Sequence, residues 1–208
     1  AEKYVNAGKT YFSIHVYAKD EKIKQLFSYM QFGMMAETGI RKIETKYKVN
    51  TSVQIRTLNK TEITQRWHEV WQLTRCIIDH LKTSPIFYKG DEFTEEVYQE
   101  FFMDQGTSVH IAFDKNDKMI GMIESNKDTN PFVFGKEKAT NIGEAYVISE
   151  YRGSGLAQDL LNFAQAYERQ YGAIWAWVEH GTANPNARGF WNKYFETYTY
   201  EMVREVVL

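Results

Sequence analysis

Two glycines separated by one residue, Gly153 and Gly155, stand between an apolar run and an amphipathic run in the last third of the chain. The apolar run predicts a strand at Glu144 to Ile148, and the apolar residues from Leu156 onward recur at helical spacing. Glycines allow a tight strand-to-helix turn in which backbone N–H groups approach a ligand, and the following helix adds unpaired N–H groups and its positive dipole end. The turn from Arg152 to Ala157 is therefore typical of a site for phosphate or pyrophosphate.

The residues around these glycines distinguish this turn from two well-known phosphate-binding turns. A P-loop requires Lys followed by Ser or Thr after its second glycine, and a dinucleotide turn requires Gly-x-Gly-x-x-Gly. Neither pattern occurs here, since Leu156 and Ala157 follow Gly155. A lone Gly-x-Gly is also common in strand-to-helix connections that bind no ligand.

Two motifs resemble those of the GNAT family (GCN5-related N-acetyltransferases). Arg152, Gly155 and Ala157 match its signature of Gln or Arg, two residues, Gly, one residue, and Gly or Ala. A later block, from Asn184 to Lys193, matches the family's Asn-x-x-Ala-x-x-Phe segment and its lysine. The resemblance covers about residues 53–206.

This resemblance implies the GNAT acyl-CoA N-acyltransferase fold, of class α/β (α+β), with a mixed central sheet and helices on both faces. It implies acetyl-CoA as co-substrate, no metal, and an acceptor that is a small-molecule or peptide amine, attacked directly in a ternary complex. The residues that it assigns to the cofactor are Val147, Arg152, Gly153, Ser154, Gly155, Leu156, Ala157 and Asn184.

The catalytic groups are harder to assign, because the family's usual acid, a tyrosine in the later block, is replaced by Trp191. Direct transfer needs a base for the amine and an acid for the departing thiolate. Glu144 is the candidate base, with Glu179 and His180 as an alternative, and Tyr198 is the candidate acid, with Tyr200 and Tyr194 as alternatives. The substitution keeps a second function open, namely a module that binds acyl-CoA as a sensor or scaffold without turnover.

The elements that would position these residues can be predicted from periodicity. We expect a strand at 53–58, one long helix from Asn59 to Leu81, and a second helix at Thr94 to Phe102. A hairpin, the two elements flanking the glycine turn, and a final strand, helix and strand follow.

The front of the chain contains a candidate repeat. Residues 27–43 align with residues 190–206 at a constant offset, with identities at Phe27, Phe32 and Arg41. Any strand–helix–strand unit has a similar pattern, so chance resemblance also accounts for three identities. We therefore divide the chain into a partial GNAT-like segment at 1–48, a β-α-β repeat, and a complete acetyltransferase domain at 49–208.

Composition limits the partners and the compartment. A net charge of −2 over 208 residues gives no basic excess for nucleic acid, and the single cysteine, Cys76, excludes internal disulfides and cysteine metal clusters. No apolar stretch reaches the roughly 18 residues of a membrane span. The cytoplasm is the expected location, and a homodimer is left open.

Overall fold

The structure, a computed structural model, describes residues 2–44, 47, 53–88 and 93–206. The predicted boundary between residues 48 and 49 lies outside the described residues. The described chain divides into two compact units, one formed by Ala1–Arg41 with Val178–Leu208 and the other by Lys42–Trp177. We call them the terminal unit and the central unit.

Helices and strands alternate along the chain, as the periodicity predicts. In chain order they are α1 (Glu2–Val5), β1 (Tyr11–Tyr17), α2 (Glu21–Tyr29), β2 (Gly33–Lys42), β3 (Gln54–Leu58), α3 (Lys60–Gln65), α4 (Trp67–Leu81), α5 (Glu95–Met103), β4 (Thr107–Phe113), β5 (Met119–Asn126), α6 (Pro131–Phe134), β6 (Ala139–Val147), α7 (Leu156–Gln170), β7 (Trp175–Gly181), α8 (Pro185–Trp191) and β8 (Glu196–Glu205).

The central unit contains a mixed sheet with the strand order β7-β6-β5-β4-β3. Neighbouring strands from β3 to β6 run antiparallel, whereas β6 and β7 run parallel. The parallel pair needs a crossover connection, which α7 supplies after the glycine turn. The prediction of a mixed sheet is therefore confirmed.

Helices cover both faces of this sheet. On one face Val109, Ile111 and Phe113 of β4 belong to a buried cluster with side chains of α3, α4 and α5, including Phe102. Full burial of a side chain of this size stabilises the fold by about 1.5–3 kcal/mol. On the other face His110, between these β4 residues, contacts aromatic rings of α7. The predicted two-faced arrangement is confirmed, because alternate residues of a strand point to opposite faces.

The long helix predicted from Asn59 is wrong in one respect, since two helices occupy its place. Its start is as expected: Asn59 Oδ1 accepts the Glu62 N–H at 2.9 Å, and Glu62 Oε2 accepts the Asn59 N–H at 3.0 Å. At Arg66 the backbone leaves the helical region, with φ −111° and ψ 23°, and α4 begins at the next residue. The Arg66 guanidinium there bonds both Glu69 and Asp117, contacts that hydrophobic periodicity does not encode.

In the terminal unit β8 lies between β1 and β2 and runs antiparallel to both. The two predicted repeats correspond to β1-α2-β2 and to β7-α8-β8. The bounds of β1 shifted by 164 residues are those of β7, and the bounds of β2 shifted by 163 are those of β8. These correspondences are consistent with a duplicated motif, and the common origin of the two segments stays a prediction.

Candidate active site

The glycine turn begins with a single 3₁₀ turn at Ser149–Tyr151 and ends at the first residue of α7. Gly153 has φ 77° and Gly155 has φ 91°, a region that side-chain-bearing residues rarely adopt. Ser154 Oγ donates to the Tyr151 carbonyl at 2.6 Å and closes the turn. The two glycines are therefore required by the backbone path.

The same turn has room for a ligand beside its backbone. A Cβ built on Gly153 or Gly155 would meet no heavy atom of the described residues within 4 Å. Gly155 precedes α7 without a side-chain cap, so the N–H groups of Leu156 and Ala157 belong to a first helical turn that carries partial positive charge. The residues present fit a pyrophosphate, which binds through N–H groups and requires close backbone approach.

Arg152 ties the turn to the end of β6. Its Nε donates to the Val147 carbonyl at 2.9 Å, and its guanidinium lies 5.2 Å from the centre of the Tyr146 ring. Val147 is buried and pairs with Gly121 of β5. In this structure Arg152 therefore contacts the strand end, and its predicted contact with the cofactor stays a prediction.

Glu144 lies on β6, three residues before Val147. The Tyr98 hydroxyl, on α5, donates to Glu144 Oε1 at 3.1 Å. Burial raises the pKa of the Glu144 carboxyl, and the hydrogen bond from Tyr98 opposes that rise. Burial and the neighbouring Glu144 raise the pKa of Tyr98 as well, so that its hydroxyl stays protonated and acts as a donor. The carboxyl is thus suited to accept a proton near neutral pH.

Glu124 is a second carboxyl at this place, and the sequence interpretation missed it. It lies on β5 with 1% of its surface exposed, and Asn126 Nδ2 donates to its Oε1 at 2.9 Å. Burial, together with the charges of Glu144 and Glu168, raises the pKa of Glu124 to about 8. The available signal was a lone acid in the apolar run MIGMIES, because a buried Glu is rare unless it is paired or functional.

A chain of buried polar side chains crosses the α7 face of the sheet. His110 Nδ1 lies 2.9 Å from Thr57 Oγ1 and its Nε2 lies 2.9 Å from Ser125 Oγ, while Ser125 Oγ donates to Glu168 Oε1 at 2.6 Å. Burial lowers the pKa of His110 to about 3, so the imidazole is neutral at physiological pH. These contacts give both ring nitrogens of His110 a partner inside the core.

Tyr198 and Asn184, the remaining predicted site residues, belong to the terminal unit. Tyr198 is partly buried, and its ring packs edge-on against Tyr17 at 5.6 Å. Asn184 caps α8, since its Oδ1 accepts the N–H groups of Asn186 at 3.2 Å and Ala187 at 3.1 Å. Their predicted roles as acid and as pantetheine contact stay predictions.

The other residues considered for catalysis also belong to the terminal unit. Glu179 is exposed and accepts a bond from Thr38 Oγ1 at 3.4 Å, while His180 is buried at the end of β7. Trp191 is buried against Phe195.

The described residues contain no candidate metal cluster and no helix that could span a membrane. Among residues 2–44, 47, 53–88 and 93–206, no three His, Cys, Asp or Glu side chains are grouped to hold a metal ion. Within the same ranges, every helix is too short or too polar to span a membrane.

Comparison with solved structures identifies similar folds at low sequence identity. A GCN5-related N-acetyltransferase from Sphaerobacter thermophilus matches with a TM-score of 0.63 and 10% identity over 98% of this chain. The chain spans 65% of that protein's length. A functionally unknown conserved protein from Staphylococcus epidermidis ATCC 12228 matches with a TM-score of 0.54 and 12% identity, over 99% of this chain and 77% of the other.

A third match is an aminoglycoside acetyltransferase from an uncultured soil metagenomic sample, in complex with sisomicin. Its TM-score is 0.52 at 14% identity, over 70% of this chain and 89% of the other. A search of curated proteins found no match.

Sequence comparison with protein families gives a match over more than half of the chain. The family is described as the acetyltransferase (GNAT) family, and the matched residues are 73–196. That range contains the glycine turn, Glu124 and Glu144. The resemblance inferred from the two motifs is confirmed, and the chain belongs to the GNAT acetyltransferase family.

Proposed function

We propose that the protein transfers an acetyl group from acetyl-CoA to a primary amine by direct attack in a ternary complex. The observation that carries this proposal is the position of the Glu144 carboxyl. Glu144 lies on the strand that leads into the glycine turn, and its carboxyl accepts a hydrogen bond from Tyr98. A raised pKa brings a carboxyl closer to the proton affinity that a general base needs at neutral pH. The family membership and the open turn supply the rest of the site.

The turn at 152–157 would hold the pyrophosphate of acetyl-CoA through backbone N–H groups. Ser154, Leu156 and Ala157 contribute those groups, and the two glycines keep the backbone accessible. When bound, acetyl-CoA supplies the thioester carbonyl that is attacked. The backbone N–H at Val147, where β6 ends, would stabilise negative charge on that carbonyl oxygen.

The proton balance assigns a role to each candidate. The amine nitrogen forms a bond to the carbonyl carbon, and Glu144 accepts the proton that the nitrogen releases. The bond between carbon and sulfur breaks, and the departing thiolate takes a proton from an acid. We assign that acid to Tyr198, because Trp191 replaces the family's usual tyrosine and an indole N–H is too weak an acid.

The acceptor is a small-molecule or peptide amine. One similar structure is that of an aminoglycoside acetyltransferase in complex with sisomicin, which supports the proposal of an amine acceptor. In the present chain aromatic rings lie near the proposed base, with Trp71 6.1 Å and Phe93 5.9 Å from Tyr98, centre to centre. Aromatic faces attract ammonium groups, so an amine that arrives protonated is compatible with these surroundings.

Thiol release measured against a panel of amines tests the proposal. We expect turnover with acetyl-CoA and a fall in kcat of about 100-fold or more for Glu144→Gln, the usual contribution of a general base. Glu100→Gln, which neutralises an exposed carboxylate on α5, is the control and leaves kcat unchanged. Saturable acetyl-CoA binding without turnover on any amine would favour the sensor function instead.

A further inference from the structure

The two carboxyls of the site belong to residues that lie on neighbouring strands at an irregularity in the sheet. The pairing of β5 with β6 shifts by one residue at Glu124, so that Gly143 and Glu144 together oppose it. An extra residue of this kind forms a β-bulge, which bends its strand and re-aims the neighbouring side chain. The bulge thus belongs to the site itself and lies at the residue proposed as the base.

Glu124 fits closely against the bulge. A Cβ at Gly143 would stand 2.5 Å from Glu124 Oε2, closer than any real Cβ contact, so this oxygen occupies the space that a side chain at residue 143 would fill. Asn126 holds the other oxygen, because its Nδ2 donates to Oε1 at 2.9 Å and to Asn141 Oδ1 at 3.2 Å. The Glu124 carboxyl is therefore fixed beside the residue that precedes Glu144.

The titratable groups around this pair come from two other elements. Tyr98 of α5 donates to Glu144, and Glu168 of α7, which is held by Ser125, adds a third carboxyl near Glu124. Burial raises the pKa of both Glu124 and Glu144, and the charge of Glu144 raises that of Glu124 further. Two buried carboxyls in such surroundings do not both ionise near neutral pH.

We propose that Glu124 is a positioning residue for the base, sharing one proton with Glu144 across the bulge so that the two carboxyls titrate as a coupled pair. The catalytic meaning of this pair rests on the proposed function, whereas the pairing itself does not. Near neutral pH the pair carries a single negative charge and remains able to accept one more proton, the one that an amine releases. Removing the shared proton at higher pH makes Glu144 a stronger base.

Glu124→Gln separates this role from a packing role. The Gln side chain keeps an oxygen that accepts from Asn126 and, like a protonated Glu124, carries no charge. The variant therefore reproduces the singly charged pair but has no second proton to lose. Glu168→Gln is the matched control, since it removes a buried carboxyl on the α7 face of the sheet.

Carbon-13 NMR of protein labelled at the Glu side-chain carboxyl carbon, titrated with pH, is the direct measurement. We expect the Glu144 resonance of the unsubstituted protein to follow two ionisation steps separated by about 1 pH unit or more. In Glu124→Gln the upper step disappears, and in Glu168→Gln both steps remain. The Glu144→Gln variant assigns the resonance and leaves Glu124 with one step.

A Glu144 resonance with one step and the same midpoint in the unsubstituted protein and in Glu124→Gln would overturn the pairing. If Glu124→Gln fails to fold, the titration of the unsubstituted protein still decides, because a single step for both carboxyls contradicts coupling. Turnover is not needed for this measurement, so inactivity towards every amine rejects the proposed function and leaves the pair standing. Where turnover is found, kcat/KM of Glu124→Gln loses its rise near the upper step.

Discussion

Comparing Gly155→Ala with Gly172→Ala separates the effect of a methyl group on ligand binding from its effect on backbone strain. Gly155 has φ 91° before α7, and Gly172, two residues after the end of the same helix, has φ 93°. Alanine in this left-handed region costs about 1–2 kcal/mol of folding free energy at either place. The Cβ at residue 155 meets no described atom within 4 Å, and the Cβ at residue 172 meets the flexible end of Lys138 at 3.3 Å. The two variants therefore lose similar stability.

Only Gly155→Ala places its methyl group where the turn would receive a phosphate. Displacing the ligand from one N–H group removes a hydrogen bond to a charged group, which contributes about 1.5–3 kcal/mol. We therefore expect the Kd for acetyl-CoA to rise by about 10- to 150-fold in Gly155→Ala and to stay unchanged in Gly172→Ala. Calorimetric titration gives the two Kd values, and unfolding in urea gives the two stabilities. Equal Kd values for the two variants would refute the placement of the pyrophosphate at this turn.

Three further substitutions test the surroundings of the carboxyls. Gly143→Ala pushes a Cβ to within 2.5 Å of Glu124 Oε2 and is expected to lower the free energy of unfolding by about 1–3 kcal/mol, measured in urea. Tyr98→Phe removes the hydrogen bond that lowers the pKa of Glu144, so the acidic limb of kcat/KM moves to higher pH. His110→Gln removes a group that is neutral when folded and protonates when unfolded. Because burial lowers the His110 pKa from 6.5 to about 3, the contribution of this group to stability is full above pH 6.5 and falls between those values by up to about 1.4 kcal/mol per pH unit, a contribution the variant lacks.

Each of these expectations has a control within the chain. Gly189→Ala in α8 adds a Cβ that meets no described atom within 4 Å, so its stability should not fall. Tyr171→Phe removes a hydroxyl from a tyrosine that is 65% exposed and leaves the pH profile unchanged. Ser125→Ala is the control for His110→Gln, because it breaks the polar chain at His110 but keeps the imidazole. An acid slope equal to that of the unsubstituted protein in His110→Gln would contradict the buried neutral imidazole.

The turn could be predicted from the sequence because its signals are local. Glycines at positive φ and a helix start are properties of a few consecutive residues. The bounds of β6 were harder to predict from the sequence, since the strand begins at Ala139 and the predicted strand began at Glu144. Residues 139–143 are mostly polar or glycine, and their strand conformation depends on pairing with β5 and β7. Tertiary pairing of this kind overrides weak local propensity.

Glu124 shows why half of the carboxyl pair could not be predicted. The sequence gives the apolar run around it, but the space for its carboxyl exists only because Gly143 lies opposite and the register shifts there. A bulge is a property of two paired strands separated by a loop, and no spacing within either strand encodes it. The break between α3 and α4 has the same origin, because Arg66 is held by Asp117 from a distant hairpin.

The repeat of the terminal unit extends to its irregularities, which bears on Tyr198. Within the paired stretch of β2 and β8, Met35 and Tyr198 are the residues that the two register shifts leave without a partner, and they are separated by the same 163 residues as the bounds of the two strands. At the centre of the pair Glu37 lies opposite Tyr200, which is its own equivalent at that offset. Two equivalent strands that pair antiparallel about equivalent residues form a local twofold arrangement, so a bulge in one requires a bulge in the other. On the predicted duplication, the setting of Tyr198 follows from the strand that β2 and β8 share, and a role as the acid has to arise from a side chain that a bulge re-aims.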